Sequence, residues 1–156
     1  MMKPWVWLAI FVTSLVIASG VFLGWQTPST PAKTNRLIVQ MPCDLNQSAC
    51  QAADQQGHQI QFSLSPTPIP LMQDLTAQLM VKGWKDIQEA QVSIEGVNMY
   101  MGQQFTFLQP NATKQWHGNL MLPICSESNM QWQASVHIQS ADKFYVATFP
   151  FMTTRP

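Results

Sequence analysis

With 156 residues the chain has room for one globular domain and an appendage. Eight Lys/Arg stand against eight Asp/Glu, and charged residues make up only 10% of the chain, well under the roughly 25% of ordinary domains. No basic run or patch is present, so nucleic acid is not an expected partner, and the polar surface must rest on uncharged residues such as Gln.

The appendage comes first. Residues 4–25, PWVWLAIFVTSLVIASGVFLGW, carry no charge and follow a head whose one charged side chain is Lys3. As a helix rising about 1.5 Å per residue, this stretch is long enough to cross about 30 Å of hydrocarbon. Trp5, Trp7 and Trp25 suit the two interfaces. A cleaved signal peptide has a shorter apolar run ending in a small-x-small site. Ala18, Ser19 and Gly20 supply small residues, but Val21, Phe22 and Leu23 carry the run past them. The pattern therefore predicts one uncleaved transmembrane helix. Lys3 on one side nearly balances Lys33 and Arg36 on the other, so the short head decides the orientation. The expectation is a single-pass protein of the inner (cytoplasmic) membrane, with its carboxy-terminal domain in the periplasm or on the extracellular side. Residues 26–36 read as an extended Pro/Ser/Thr linker, and 37–156 as the folded domain.

Within that domain, short strand signals recur. RLIVQ (36–40) is β-branched, and HQIQFSL (58–64) puts Ile60, Phe62 and Leu64 on one face. PTPIP (66–70) has too many prolines for a sheet interior. LTAQLMV (75–81) aligns Leu75, Ala77, Leu79 and Val81. AQVSIEGVNMYM (90–101) reads as a strand with a bulge or bend at Gly96. QFTFL (104–108), WHGNLMLP (116–123), MQWQASVHI (130–138) and KFYVATFPF (143–151) follow. In 130–138, Met130, Trp132, Ala134, Val136 and Ile138 share one face, the pattern of a half-buried antiparallel strand. Repeated short strands without a helix after residue 26 predict an all-β, immunoglobulin-like antiparallel β-sandwich, with a partly closed barrel as the alternative.

Three cysteines are present. Cys43 and Cys50 close the short loop CDLNQSAC and are assigned a structural disulfide in an oxidising compartment. Cys125 is then either a buried free thiol or the partner of one of those two, leaving the other free.

No nucleophile elbow, zinc-protease helix, phosphate loop or CxxC motif occurs, so an enzyme is not expected. His58, His117 and His137 are scattered and read as lacking carboxylates at useful spacing. What remains is sulfur. Met99 and Met101 lie two apart in GVNMYMGQ, on one side if that stretch is a strand, and Cys125 and Met130 follow in the second half. These four form the candidate metal set, with His117 and Met121 in reserve. Thiolate and thioether donors select Cu(I) over harder ions because they are polarisable. The competing reading is packing: ten methionines show that the chain uses Met freely, and Met fills irregular gaps in cores.

The stretch VSIEGVNMYMG…FTFL…WHGNLMLPICSESNMQWQASVHI resembles the exported immunoglobulin-like domains of the FixH and YtkA-like group. Gly96, Met99, Gly102, Gly118, Pro123, Met130 and Trp132 carry the resemblance, which covers about residues 88–151. It implies a small domain behind one membrane segment, engaged in copper handling or cytochrome oxidase assembly. The chain departs from the group by lacking a His-rich motif and by adding the CDLNQSAC loop. The expected function is thus a membrane-anchored exported domain that binds Cu(I) or assists assembly of a copper-containing oxidase. Its partners would be the membrane and a respiratory oxidase or copper chaperone. The alternative is a metal-free interaction module that docks a membrane complex through Pro66, Pro68, Ile69 and Pro70.

Overall fold

The computed structural model describes residues 34–113, 115–141 and 143–155. The predicted anchor, 4–25, and most of the linker lie outside them. The described residues are all-β, with no helix, and form two sheets. In chain order the strands are β1 (Thr34–Arg36), β2 (Ile38–Val39), β3 (Cys50–Ala53), β4 (Gln59–Ser65), β5 (Asp74–Lys82) and β6 (Glu89–Gly96). They continue with β7 (Gln103–Phe107), β8 (Gln109–Pro110), β9 (Trp116–Met121), β10 (Asn129–Ser140) and β11 (Lys143–Thr154). One sheet has the order β1-β11-β10-β6-β7, the other β2-β3-β4-β5-β9-β8. Every pairing is antiparallel except β1 with β11.

Strict alternation sets which face of each strand turns inward. Ile60, Phe62 and Leu64 of β4, with Leu75, Ala77 and Leu79 of β5, are buried from one sheet. Met130, Trp132, Ala134, Val136 and Ile138 of β10 are buried from the other. Phe62 and Phe149 stack across the gap with ring centroids 5.3 Å apart, so the two inner faces form one core. Each of these large side chains contributes about 1.5–3 kcal/mol on burial. The Trp132 indole N–H reaches a partner inside that core, donating to Thr153 Oγ1 at 2.8 Å.

Twice the chain steps from one sheet to the other through a single buried leucine. Leu37 lies between β1 and β2, and Leu108 between β7 and β8. Each still donates its N–H to a neighbour in the sheet being left, Leu37 to the Val146 carbonyl and Leu108 to the Ala90 carbonyl, both at 2.8 Å. The single strand expected over 36–40 is therefore two short ones, and Thr34–Arg36, expected as linker, is a strand paired with Phe144–Val146. A parallel pairing borrowed from β11 is invisible in three polar residues.

Cys43 and Cys50 form a disulfide. It closes the loop preceding β3 and holds Leu45, 1% exposed, in the core. A loop of this size stabilises the fold by roughly 2–3 kcal/mol in the chain-entropy account. Cys125 is free and buried.

Because Leu108 fills the corner where the chain changes sheet, Leu108→Ala leaves a cavity there. A loss of about 2–4 kcal/mol is expected, read as a lower urea midpoint with an unchanged slope.

Candidate functional site

Strand register sorts the loops into two ends. Loops 43–49, 66–73, 97–102 and 122–128, with the end of β11, gather at one end, since Asp74 pairs with Met121, Trp132 with Gly96, and Asn129 with Thr154. At the other end are the turn after Ser140 and the point where β1 joins β11. Phe144 and Thr153 are nine positions apart on β11, roughly 30 Å at about 3.4 Å per residue.

The sulfur groups are found at the first end. Strand β6 stops at Gly96, and 97–102 is a loop, not the strand continuation that the sequence pattern suggests. The strand breaks at a residue without a Cβ. Gly96 sits against Met130 Cε and the Met99 carbonyl so closely that a Cβ would collide with both. Beyond it, Val97 N–H still donates to the Gln131 carbonyl at 2.8 Å. The loop then folds back over the start of β10. Met99 Sδ accepts from Cys125 Sγ at 3.0 Å and lies 3.7 Å from Ser126 Oγ. Met130 is 2% exposed and Cys125 7%, whereas Met99 is half-buried and Ser126 exposed. The pair thus lies at the edge of the core, one residue from solvent.

Met101 is half-buried against the core, ahead of Gly102 with its φ of +79°. His117 and Met121 lie elsewhere. On β9 the odd-numbered residues are exposed and the even-numbered ones half-buried, so both project from the outer face of their sheet. His117 lines a cleft of about 360 Å³ with Gln61, Gln78 and Trp116. The proline segment also differs from expectation. Pro66 and Pro68 are exposed, but Ile69 is 6% exposed and its N–H donates to Asn46 Oδ1 at 3.1 Å. Ile69 belongs to the core, not to an outer surface, and Pro70 is half-buried.

One pairing was missed. His58 Nδ1 and Asp54 Oδ2 are 2.7 Å apart, four residues apart in sequence, across the turn into β4. The spacing was legible; the turn that brings the two side chains together was not. His58 also stacks on Trp84, centroids 4.6 Å apart, and packs against Tyr145 at 4.8 Å. This aromatic group closes the end opposite the sulfurs. Partial burial pushes the Asp54 carboxyl up, but hydrogen bonds from the His58 side chain and from the His58 and Gln56 backbone N–H groups outweigh it. Its pKa lies below the ordinary 3.8.

Comparison with family models, curated proteins and solved structures gives no match to this chain.

Two outcomes are expected. A carboxylate held below its ordinary pKa contributes stability above 3.8 that is lost as pH falls through the folded value. Asp54→Asn should therefore lower the unfolding midpoint at neutral pH and flatten its fall in acid. Gly96→Ala sets a methyl against backbone as well as the Met130 methyl, so a loss of about 1–3 kcal/mol is expected in urea unfolding.

Proposed function

We propose that this chain is a membrane-tethered, exported immunoglobulin-like domain that binds Cu(I) through Cys125 and Met99, with Met130 as the third sulfur. The observation that carries the reading is the 3.0 Å approach of Cys125 Sγ to Met99 Sδ, two residues 26 apart in sequence and on different loops.

Strand order supports the immunoglobulin-like assignment. β5, β9 and β8 occupy the places of strands B, E and D; β6, β10 and β11 those of C, F and G; β7 is the added C′. β1 and β2 correspond to a first strand divided between the sheets, and the β3–β4 hairpin is an insertion before B. A free thiol in a chain that also holds a disulfide agrees with an exported domain whose thiol serves as a ligand. The resemblance of residues 88–151 to FixH and YtkA-like domains points the same way.

The donor set fits a soft monovalent ion. A thiol and thioethers are polarisable, and a coordinating thiol gives up its proton outright. Met130, held in the core, would be the rigid donor, and Met99, on a loop, the adjustable one. Admitting an ion requires the Sγ–Sδ pair to part, which the three rotatable bonds of Met99 allow. Cys125 and Met130, 7% and 2% exposed, would set the inner donors of such a site away from bulk water.

The second reading, a metal-free module that docks a membrane complex, is favoured by one observation. Val97, Tyr100 and Ile124, on the loops that carry Met99 and Cys125, are 58%, 77% and 51% exposed.

Full-length protein in detergent, titrated with Cu(I) against a chromophoric chelator under reducing conditions that spare the disulfide, separates the two. The copper reading expects one ion bound, with about a hundredfold or greater loss of affinity in Cys125→Ser. Equal affinity in wild type, Cys125→Ser and Met99→Ala removes it.

A further inference from the structure

We propose that Asn98 is the positioning residue of the sulfur site: its side-chain amide takes the place of a missing ladder pair and thereby holds Met99 against Cys125. The inference rests on the copper reading for its functional consequence, while the positioning itself is independent of metal.

The geometry is specific. After Gly96 the β6–β10 ladder continues by one bond, from Val97 N–H to the Gln131 carbonyl. The next backbone pair is absent because the chain turns away. In its place the Asn98 side chain supplies both a donor and an acceptor. Its Nδ2 donates to the Asn129 carbonyl at 3.0 Å, and its Oδ1 accepts from the Gln131 N–H at 2.9 Å. These two backbone groups flank Met130. One amide therefore grips β10 on both sides of one candidate ligand, while the residue that follows it is another.

Few side chains can do this. The task needs a planar group with an N–H donor and a carbonyl acceptor at fixed separation, on a stem of one methylene. Gln is too long by one carbon, Asp offers acceptors only, and Ser lacks the span. The other loop has its own clasp. Arg155 Nη1 donates to the Cys125 carbonyl at 3.3 Å, and Arg155 N–H to the Ser128 carbonyl at 2.9 Å. Met99 and Cys125 thus approach each other from two loops, each tied independently to the ends of β10 and β11.

Asn98 is exposed, so the Asn129 and Gln131 groups it releases on substitution can turn to water. Asn98→Ala should accordingly stay folded, which makes positioning separable from stability. Two measurements on the full-length chain in detergent test it. First, with methyl-13C methionine and no metal, Asn98→Ala should move the Met99 methyl resonance toward the position of a solvated methionine. The Met130 resonance, buried in the core, should stay near its wild-type place. Second, with Cu(I) against a chromophoric chelator, Asn98→Ala should bind about tenfold more weakly, and Asn98→Asp, which keeps the bond to the Gln131 N–H, should lose less. An unmoved Met99 resonance in Asn98→Ala overturns the positioning role, whether or not copper binds. A moved resonance with unchanged Cu(I) affinity overturns the functional role of that positioning. Failure of the wild type to bind Cu(I) removes the copper reading alone, and the methyl spectrum still decides the role of Asn98.

Discussion

The inward row of β10, running Met130, Trp132, Ala134, Val136, Ile138, is the element on which both the core and the sulfur cluster are built. β10 pairs with β11 over its whole length and with β6 over most of it. Its alternation faces the second sheet along the entire interface. A slip of one residue would send Trp132 to solvent and Gln131 or Gln133 into the core, so the register has no near alternative. Trp132 locks it further, because its indole N–H is satisfied inside the core by Thr153 of the neighbouring strand.

That same row ends in Met130, which gives the sulfur cluster a rigid partner. A thioether at the last inward position is part of the packing on one side and lies under the 97–102 loop on the other. Gly96 makes the overlap possible, since only a residue without Cβ lets the loop backbone cross so near the Met130 methyl. Core and site are therefore one structure. Met130 is 2% exposed and Met99 half-buried, so the proposed site would pair a donor fixed by core packing with one nearer solvent.

The two ends of the sandwich have opposite character. Near the point where β1 joins, His58, Trp84 and Tyr145 pack ring against ring, with Asp54 hydrogen-bonded to His58. At the other end, loops carry thiol, thioether and exposed Val97, Tyr100 and Ile124. Domains of this architecture commonly place recognition on loops at one end of a rigid scaffold, and adaptable side chains are gathered here at the end farther from Thr34.

Much of the framework was legible in the chain itself. Period-two alternation in 58–64, 75–81 and 130–138 determined which side chains turn inward, because burial on a single sheet face admits no other pattern. The Cys43–Cys50 disulfide is the assignment the short CDLNQSAC loop suggests, although spacing alone leaves a pairing of either cysteine with Cys125 open. What only the tertiary structure decided are the places where partners come from afar. The polar Thr34–Arg36 becomes a strand because β11 offers it an edge, and Ile69 is drawn into the core by the sheet beneath it. Gly96 ends a strand where the alternation alone suggests continuation. Met99 meets Cys125, while His117 and Met121 project from the outer face of their sheet, for one reason: side-chain direction on a strand is local, but which loops share an end of a sandwich is set by the order in which distant strands pair.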